Sequence, residues 1–154
     1  MPSITLRELP RPAKWLITLV IVSFALNHLF SAWLVWEVTT NVDPSAKEHF
    51  AYKTFAVLLR MAHQHTFGHG TMYFITSALF LLAGMPELLT IAVITGAFLG
   101  AWLDLASWFL LKYGSPRWEL LSMASGGLYA VCFAVMAGII LYQTWRRPPT
   151  FENP

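Results

Sequence analysis

The residues best suited to chemistry are three histidines at the start of an apolar stretch, within the sequence from Arg60 to Tyr73. His63, His65 and His69 begin an apolar run of about 20 residues, the length that a membrane-spanning helix requires. Histidine inside such a run is energetically costly and usually has a function. Because residues four apart lie on one face of an α-helix, we expect His65 and His69 to point the same way. His63 is about 200° from His65 on a helical wheel and should face elsewhere.

Two further polar residues lie inside other apolar runs, namely His28 in the first and Asp104 in the third. With a rise of ~1.5 Å per residue and an apolar core of ~30 Å, His28 and His69 are at the same depth. That depth is roughly 10 Å below the surface opposite the termini, and His65 and Asp104 lie about one turn nearer to that surface. Separate burial of four such groups in lipid would be costly, so a shared pocket is predicted.

This pocket has two possible chemistries. As a haem site it uses His28 and His69 as axial ligands from different helices, and Gly100 or Gly126 leaves room for the ring. As a non-haem site for Cu or Zn it combines imidazole and carboxylate ligands. That second ligand set is His28, His65, His69 and Asp104. If it is not a ligand, Asp104 orients an imidazole through a hydrogen bond, relays a proton, or forms a hydrogen bond between two helices.

Other motifs are absent or serve other purposes. His65 and His69 have the spacing of a zinc-protease motif, but Thr66 stands where that motif requires the catalytic glutamate. The sequence contains no Walker motif, nucleophile elbow or dinucleotide fingerprint. His49 and His63 are predicted to lie at the membrane interface, outside the pocket.

The composition indicates an integral membrane protein. Of the 154 residues, 56% are hydrophobic and only 12% are charged, which is outside the range of ordinary soluble domains. The net charge of +2, without a basic stripe, argues against nucleic-acid binding. The single cysteine, Cys132, excludes internal disulfides and cysteine-rich metal sites.

The apolar runs predict an all-α fold, an integral membrane four-helix bundle that forms one domain over residues 1–154. The predicted spans cover about 15–38, 62–84, 88–112 and 118–145. An amphipathic helix over 45–60, capped by Ser45 and Glu48, should precede the second span and extend past the membrane surface. Its residues Lys53 and Arg60 should be solvated, while Phe55 and Leu58 cover the mouth of the bundle.

Four spans place both termini on one side of the bilayer. Each side then carries five basic residues, so the positive-inside rule does not decide the orientation. We expect cytoplasmic termini in a bacterial inner membrane, because three of the opposing charges belong to the interfacial segment.

Histidines from two helices inside a small membrane bundle give a plan similar in architecture to four-helix membrane b-type cytochromes. The first hypothesis is therefore a subunit that binds haem b and transfers electrons within a larger respiratory or photosynthetic complex. Its expected partners are the lipid bilayer, other membrane subunits, and a quinone or a cytochrome. An electron-carrier role fits better than a stand-alone enzyme. The alternatives are a Cu or Zn membrane protein and a cofactor-free accessory subunit.

Overall fold

The fold is built from four long helices and one short one. A computed structural model describes residues 5–43 and 45–146. The α-helices are α1 (Arg11–Glu37), α2 (Ala46–Ala51), α3 (Phe55–Leu81), α4 (Glu87–Tyr113) and α5 (Glu119–Trp145). Short helical turns cover Leu6–Glu8, Val38–Val42 and Pro116–Trp118. The described ranges contain no strand, as the sequence predicted.

Three helical segments are long and apolar enough to cross a membrane. They are Arg11–Val42, Glu87–Tyr113 and Pro116–Trp145, and they contain α1, α4 and α5. The remaining long helix, α3, also has 27 residues but is not among them. Its first 15 residues include an arginine, three histidines and a glutamine, which lower its hydropathy. An all-helical membrane protein is therefore established, whereas the predicted fourth crossing is not.

Helices α4 and α5 pack closely at a pair of glycines. A Cβ atom added to Gly100 would lie 2.9 Å from the backbone nitrogen of Tyr129 and 3.0 Å from the carbonyl oxygen of Ser125. One turn earlier, a Cβ atom on Gly96 would lie 2.8 Å from the sulfur of Cys132. Small residues at this spacing allow two helix backbones to approach each other directly.

The segment over 45–60 differs from the predicted continuous helix. Helix α2 ends at Ala51 and α3 begins at Phe55. The side chain of Thr54 accepts a hydrogen bond from the backbone of Val57, so Thr54 caps a new helix instead of continuing the old one. The predicted cap at Ser45 is present, and Leu58 is fully buried. Phe55, however, is 56% exposed and does not cover the bundle.

Helix α2 is held across the ends of α4 and α5 by Lys47. Its ammonium group donates hydrogen bonds to the carbonyls of Leu111, Lys112 and Gly114, where α4 runs out of intrahelical donors. Its backbone nitrogen donates to the carboxylate of Glu119, the first residue of α5, at 2.9 Å. A cation at a helix C-terminus is also favoured by the helix dipole.

Helix α1 contacts the bundle mainly through its N-terminal half. Ile17 and Ile21 are buried, and the indole nitrogen of Trp145 donates to the hydroxyl of Thr18 at 3.0 Å. From Leu29 onward to the end of α1, every residue is exposed. His28 therefore lies close to the point where α1 separates from the other helices.

Candidate functional site

His28 is held in one tautomer by its own helix. Its Nδ1 atom lies 3.1 Å from the carbonyl oxygen of Phe24, which can only accept, so the ring proton is on Nδ1. The lone pair of Nε2 then accepts a hydrogen bond from the hydroxyl of Tyr73 at 3.3 Å. The ring stacks on Phe133 with a centroid separation of 4.2 Å and an interplanar angle of 8°.

His65 has the same local arrangement on α3. Its Nδ1 atom donates to the carbonyl of Met61 at 3.0 Å, which leaves the Nε2 lone pair available. The ring meets Trp108 edge to face at 4.9 Å, and the side chain is exposed.

His69 lies between these two histidines and has a different environment. Its ring is 5.6 Å from that of His65, 5.3 Å from that of Tyr129 and 5.8 Å from that of Tyr73. Its Nδ1 atom is buried and has no hydrogen-bond partner among the residues that the structure describes. A buried polar atom without a partner costs about 1–3 kcal/mol.

Asp104 faces the interior of the protein, as the sequence predicted, and is only 8% exposed. The hydroxyl of Ser122 on α5 donates to its carboxylate at 3.1 Å. This is a hydrogen bond between helices α4 and α5, and no imidazole of the described residues donates directly to the carboxylate.

The structure thus joins His28, His69 and His65 through neighbouring aromatic rings, whereas the side chain of Asp104 is hydrogen-bonded to Ser122. Two of the connecting residues, Tyr73 and Tyr129, were not predicted as site residues. Tyr73 had a detectable signal, because it lies four residues after His69 and so occupies the same helix face. Tyr129 had none, since its proximity depends on how α5 packs against α3.

The other residues singled out in the sequence, two glycines and two histidines, are not part of this cluster of side chains. The space beside Gly100 is occupied by the α5 backbone, whereas Gly126 has open space beside it. His63 lines an open groove on another face of α3, together with Phe67 and Phe74. His49 pairs with Asp43 at 2.6 Å, near the end of α1.

The cluster does not form a closed metal-binding cage. Within residues 5–43 and 45–146, no three His, Cys, Asp or Glu side chains are grouped so that they could hold a metal ion. The histidines present imidazole lone pairs at the junction of α1, α3 and α5. The phenols of Tyr73 and Tyr129 and the carboxyl group of Asp104 belong to the same region of the bundle. Such a set can ligate a cofactor or exchange protons.

Fold and site together define an integral membrane protein with a polar cluster between apolar helices. Residues 43–151 match the Aq_1264_TM family, a transmembrane helical domain, and the chain belongs to this family. The match contains α2 to α5, and with them His65, His69 and Asp104, whereas His28 precedes it. No curated protein and no solved structure matches the chain.

Proposed function

We propose that this membrane protein binds a b-type haem through His28 and His69 and carries electrons within a larger membrane complex. The observation that supports this most directly is the buried, unpartnered Nδ1 atom of His69. Ligation would remove the cost of leaving that nitrogen unpaired. For the second ligand, the Nε2 lone pair of His28 becomes available when the 3.3 Å hydrogen bond from the hydroxyl of Tyr73 is broken.

The environment of the two histidines suits such a role. The Nδ1–H of His28 is bound to a backbone carbonyl, an arrangement that fixes ring orientation and makes the other nitrogen a better ligand. Haem would supply one-electron chemistry, while the chain sets its position and its surroundings. Of the two glycines predicted to leave room for the ring, only Gly126 has open space beside it. Electron exchange would occur with neighbouring membrane subunits, a quinone or a cytochrome.

The test is an absorption spectrum of the full chain purified from membranes, with a pyridine haemochrome assay. We expect a Soret band that is lost in His28→Ala and in His69→Ala. The matched control is His63→Ala, because His63 lies on the same helix but lines a different face. Wild-type protein without a Soret band, or both variants with unchanged spectra, would refute the proposal.

A copper or zinc site is the second candidate, and the pairing of His65 with His69 on one helix face favours it. Asp104 and His28 would complete its ligand set. Stoichiometric Cu or Zn without haem iron in the purified protein would select this candidate. A protein that contains neither, with histidine variants that assemble normally, would instead be a cofactor-free accessory subunit.

We also propose that α3 crosses the bilayer, so that the bundle has four spans. The segment just before α3 lies at the far end of α4, since the ammonium group of Lys112 donates to the carbonyl of Ala51 at 3.2 Å. The other end of α3 joins the start of α4 through a tight turn at Gly84, where φ is +66°. If α4 crosses, α3 therefore covers the same thickness. The termini would then share one side, the cytoplasmic side of a bacterial inner membrane.

A further inference from the structure

A small cavity lies where the N-terminal turn, the α3–α4 connection and the end of α5 meet. Its volume is about 140 Å³, several times the share of liquid volume that one water occupies, roughly 30 Å³. Two arginines from distant parts of the sequence, Arg7 and Arg146, line it together with the polar residues Thr5 and Gln143.

The charge in this cavity is positive. No carboxylate is among the described residues that line it. Lys14 adds a third cation nearby, because its ammonium group donates to the backbone carbonyl of Arg7 at 2.8 Å. The neighbouring acid, Glu8, is already engaged by the backbone nitrogen and the hydroxyl of Thr5, at 3.2 and 2.8 Å. These bonds lower the pKa of the Glu8 carboxyl, so it stays ionised and bound to Thr5.

The cavity also lies at one end of the membrane-length helices. Trp15 and Trp145 meet edge to face at 5.5 Å near the same end of the bundle. Tryptophan is enriched where the bilayer meets water, and Arg146 directly follows the last residue of α5. Basic pockets between helices at this level bind the headgroups of anionic lipids.

We infer that Arg7 and Arg146 bind the phosphate group of an anionic phospholipid. Guanidinium groups hold phosphate oxygens through paired, charge-assisted hydrogen bonds, and two of them from separate segments would converge on one headgroup. The lipid phosphate is favoured over a free phosphate ion because the cavity is at the ends of membrane-length helices and beside interfacial tryptophans.

The experiment uses the full chain purified in a neutral detergent and native mass spectrometry to count bound lipid. Short-chain phosphatidylglycerol, short-chain phosphatidylcholine and inorganic phosphate are titrated separately. We expect one phosphatidylglycerol to bind tightly, and Arg7→Gln and Arg146→Gln each to weaken it about tenfold. The control, Arg117→Gln, removes an exposed arginine at the opposite end of the bundle and should leave binding unchanged.

Three results would overturn the inference. They are equal affinity for phosphatidylcholine, equal loss of affinity in the Arg117→Gln control, and displacement of the lipid by an equal concentration of inorganic phosphate. Arg7 lies in the short N-terminal turn, outside the spanning helices, so Arg7→Gln remains informative if Arg146→Gln misfolds. None of these results depends on whether the protein binds haem.

Discussion

Polar side chains inside the apolar helices mostly satisfy their hydrogen bonds on the helix that carries them. Hydroxyl groups on α1, α3 and α5 donate to the carbonyl four residues earlier. Examples are Thr18, Ser23, Thr76, Ser125 and Thr144. His28 and His65 follow the same rule through Nδ1. In a membrane, a hydrogen bond to the residue's own helix means that no polar group is left unpaired in the hydrocarbon. His69 departs from the rule, because its buried Nδ1 atom has no hydrogen-bond partner among the described residues, and the proposed ligand role rests on this difference.

Asp104 gives a prediction at the residue scale. Asp104→Asn keeps an oxygen that accepts the hydrogen bond from Ser122, so the fold should persist while haem retention or potential changes. Asp104→Leu removes the acceptor and leaves the half-buried hydroxyl of Ser122 without its partner, which should lower the free energy of unfolding by about 1–3 kcal/mol. Denaturant titration in detergent micelles measures the stability difference.

The control for this prediction is Ser122→Ala. In that background Asp104→Leu should cost less, because the donor that it would leave unpaired is already gone. Equal losses in both backgrounds, or an asparagine variant as unstable as the leucine variant, would contradict the assigned hydrogen bond.

At the scale of the elements, the close approach of α4 to α5 determines where the site residues meet. Ser122 and Tyr129 on α5 reach Asp104 and His69 because Gly100 lets the two backbones touch. A larger residue at Gly100 would push α5 outward and separate these groups. The glycine spacing in the sequence is thus a packing feature that indirectly positions the site.

Gly100→Ala tests this arrangement. The added methyl group meets backbone atoms of α5 at about 3 Å, which cannot move aside as a flexible side chain would. We expect the free energy of unfolding to fall by about 1–3 kcal/mol, as in other overpacked contacts. Gly127→Ala is the matched control, since nothing lies within 4 Å of its added methyl, and it should be neutral or stabilising by up to about 1 kcal/mol. Similar effects of the two substitutions would show that the α4–α5 contact is not tight.

For the whole molecule, the sequence was enough to predict the membrane class and the long helices, whereas Phe55 and His65 of the predicted inward face of α3 are exposed. Counting residues along each apolar run predicted similar membrane depths for His28, His65, His69 and Asp104, because helix rise is nearly constant. The partners of these residues were harder to predict. Whether Asp104 meets Ser122 or an imidazole depends on helix rotation and crossing angle, which a single sequence does not specify.

The break before Phe55 was missed because the amphipathic pattern continues through it, although Thr54 is a recognisable cap.

The number of crossings is the prediction that belongs to this scale. In a Cys132→Ala background, single cysteines replace Lys53, Glu87 or Arg117, and intact cells are treated with a membrane-impermeant maleimide. If α3 crosses, the cysteines at 53 and 117 label from one side and the cysteine at 87 from the other. Labelling of positions 53 and 87 from the same side would show that α3 does not cross.

The attachment of Lys47 to the end of α4 has a consequence for biosynthesis. Its carbonyl partners lie 64 to 67 residues further along the chain, so α2 has nothing to dock on when it leaves the ribosome. At ~5–20 residues per second, that wait lasts roughly 3 to 13 seconds. Until then, Lys47 remains in water at the bilayer surface. Docking of α2 therefore has to wait until the C-terminal end of α4 has been synthesised.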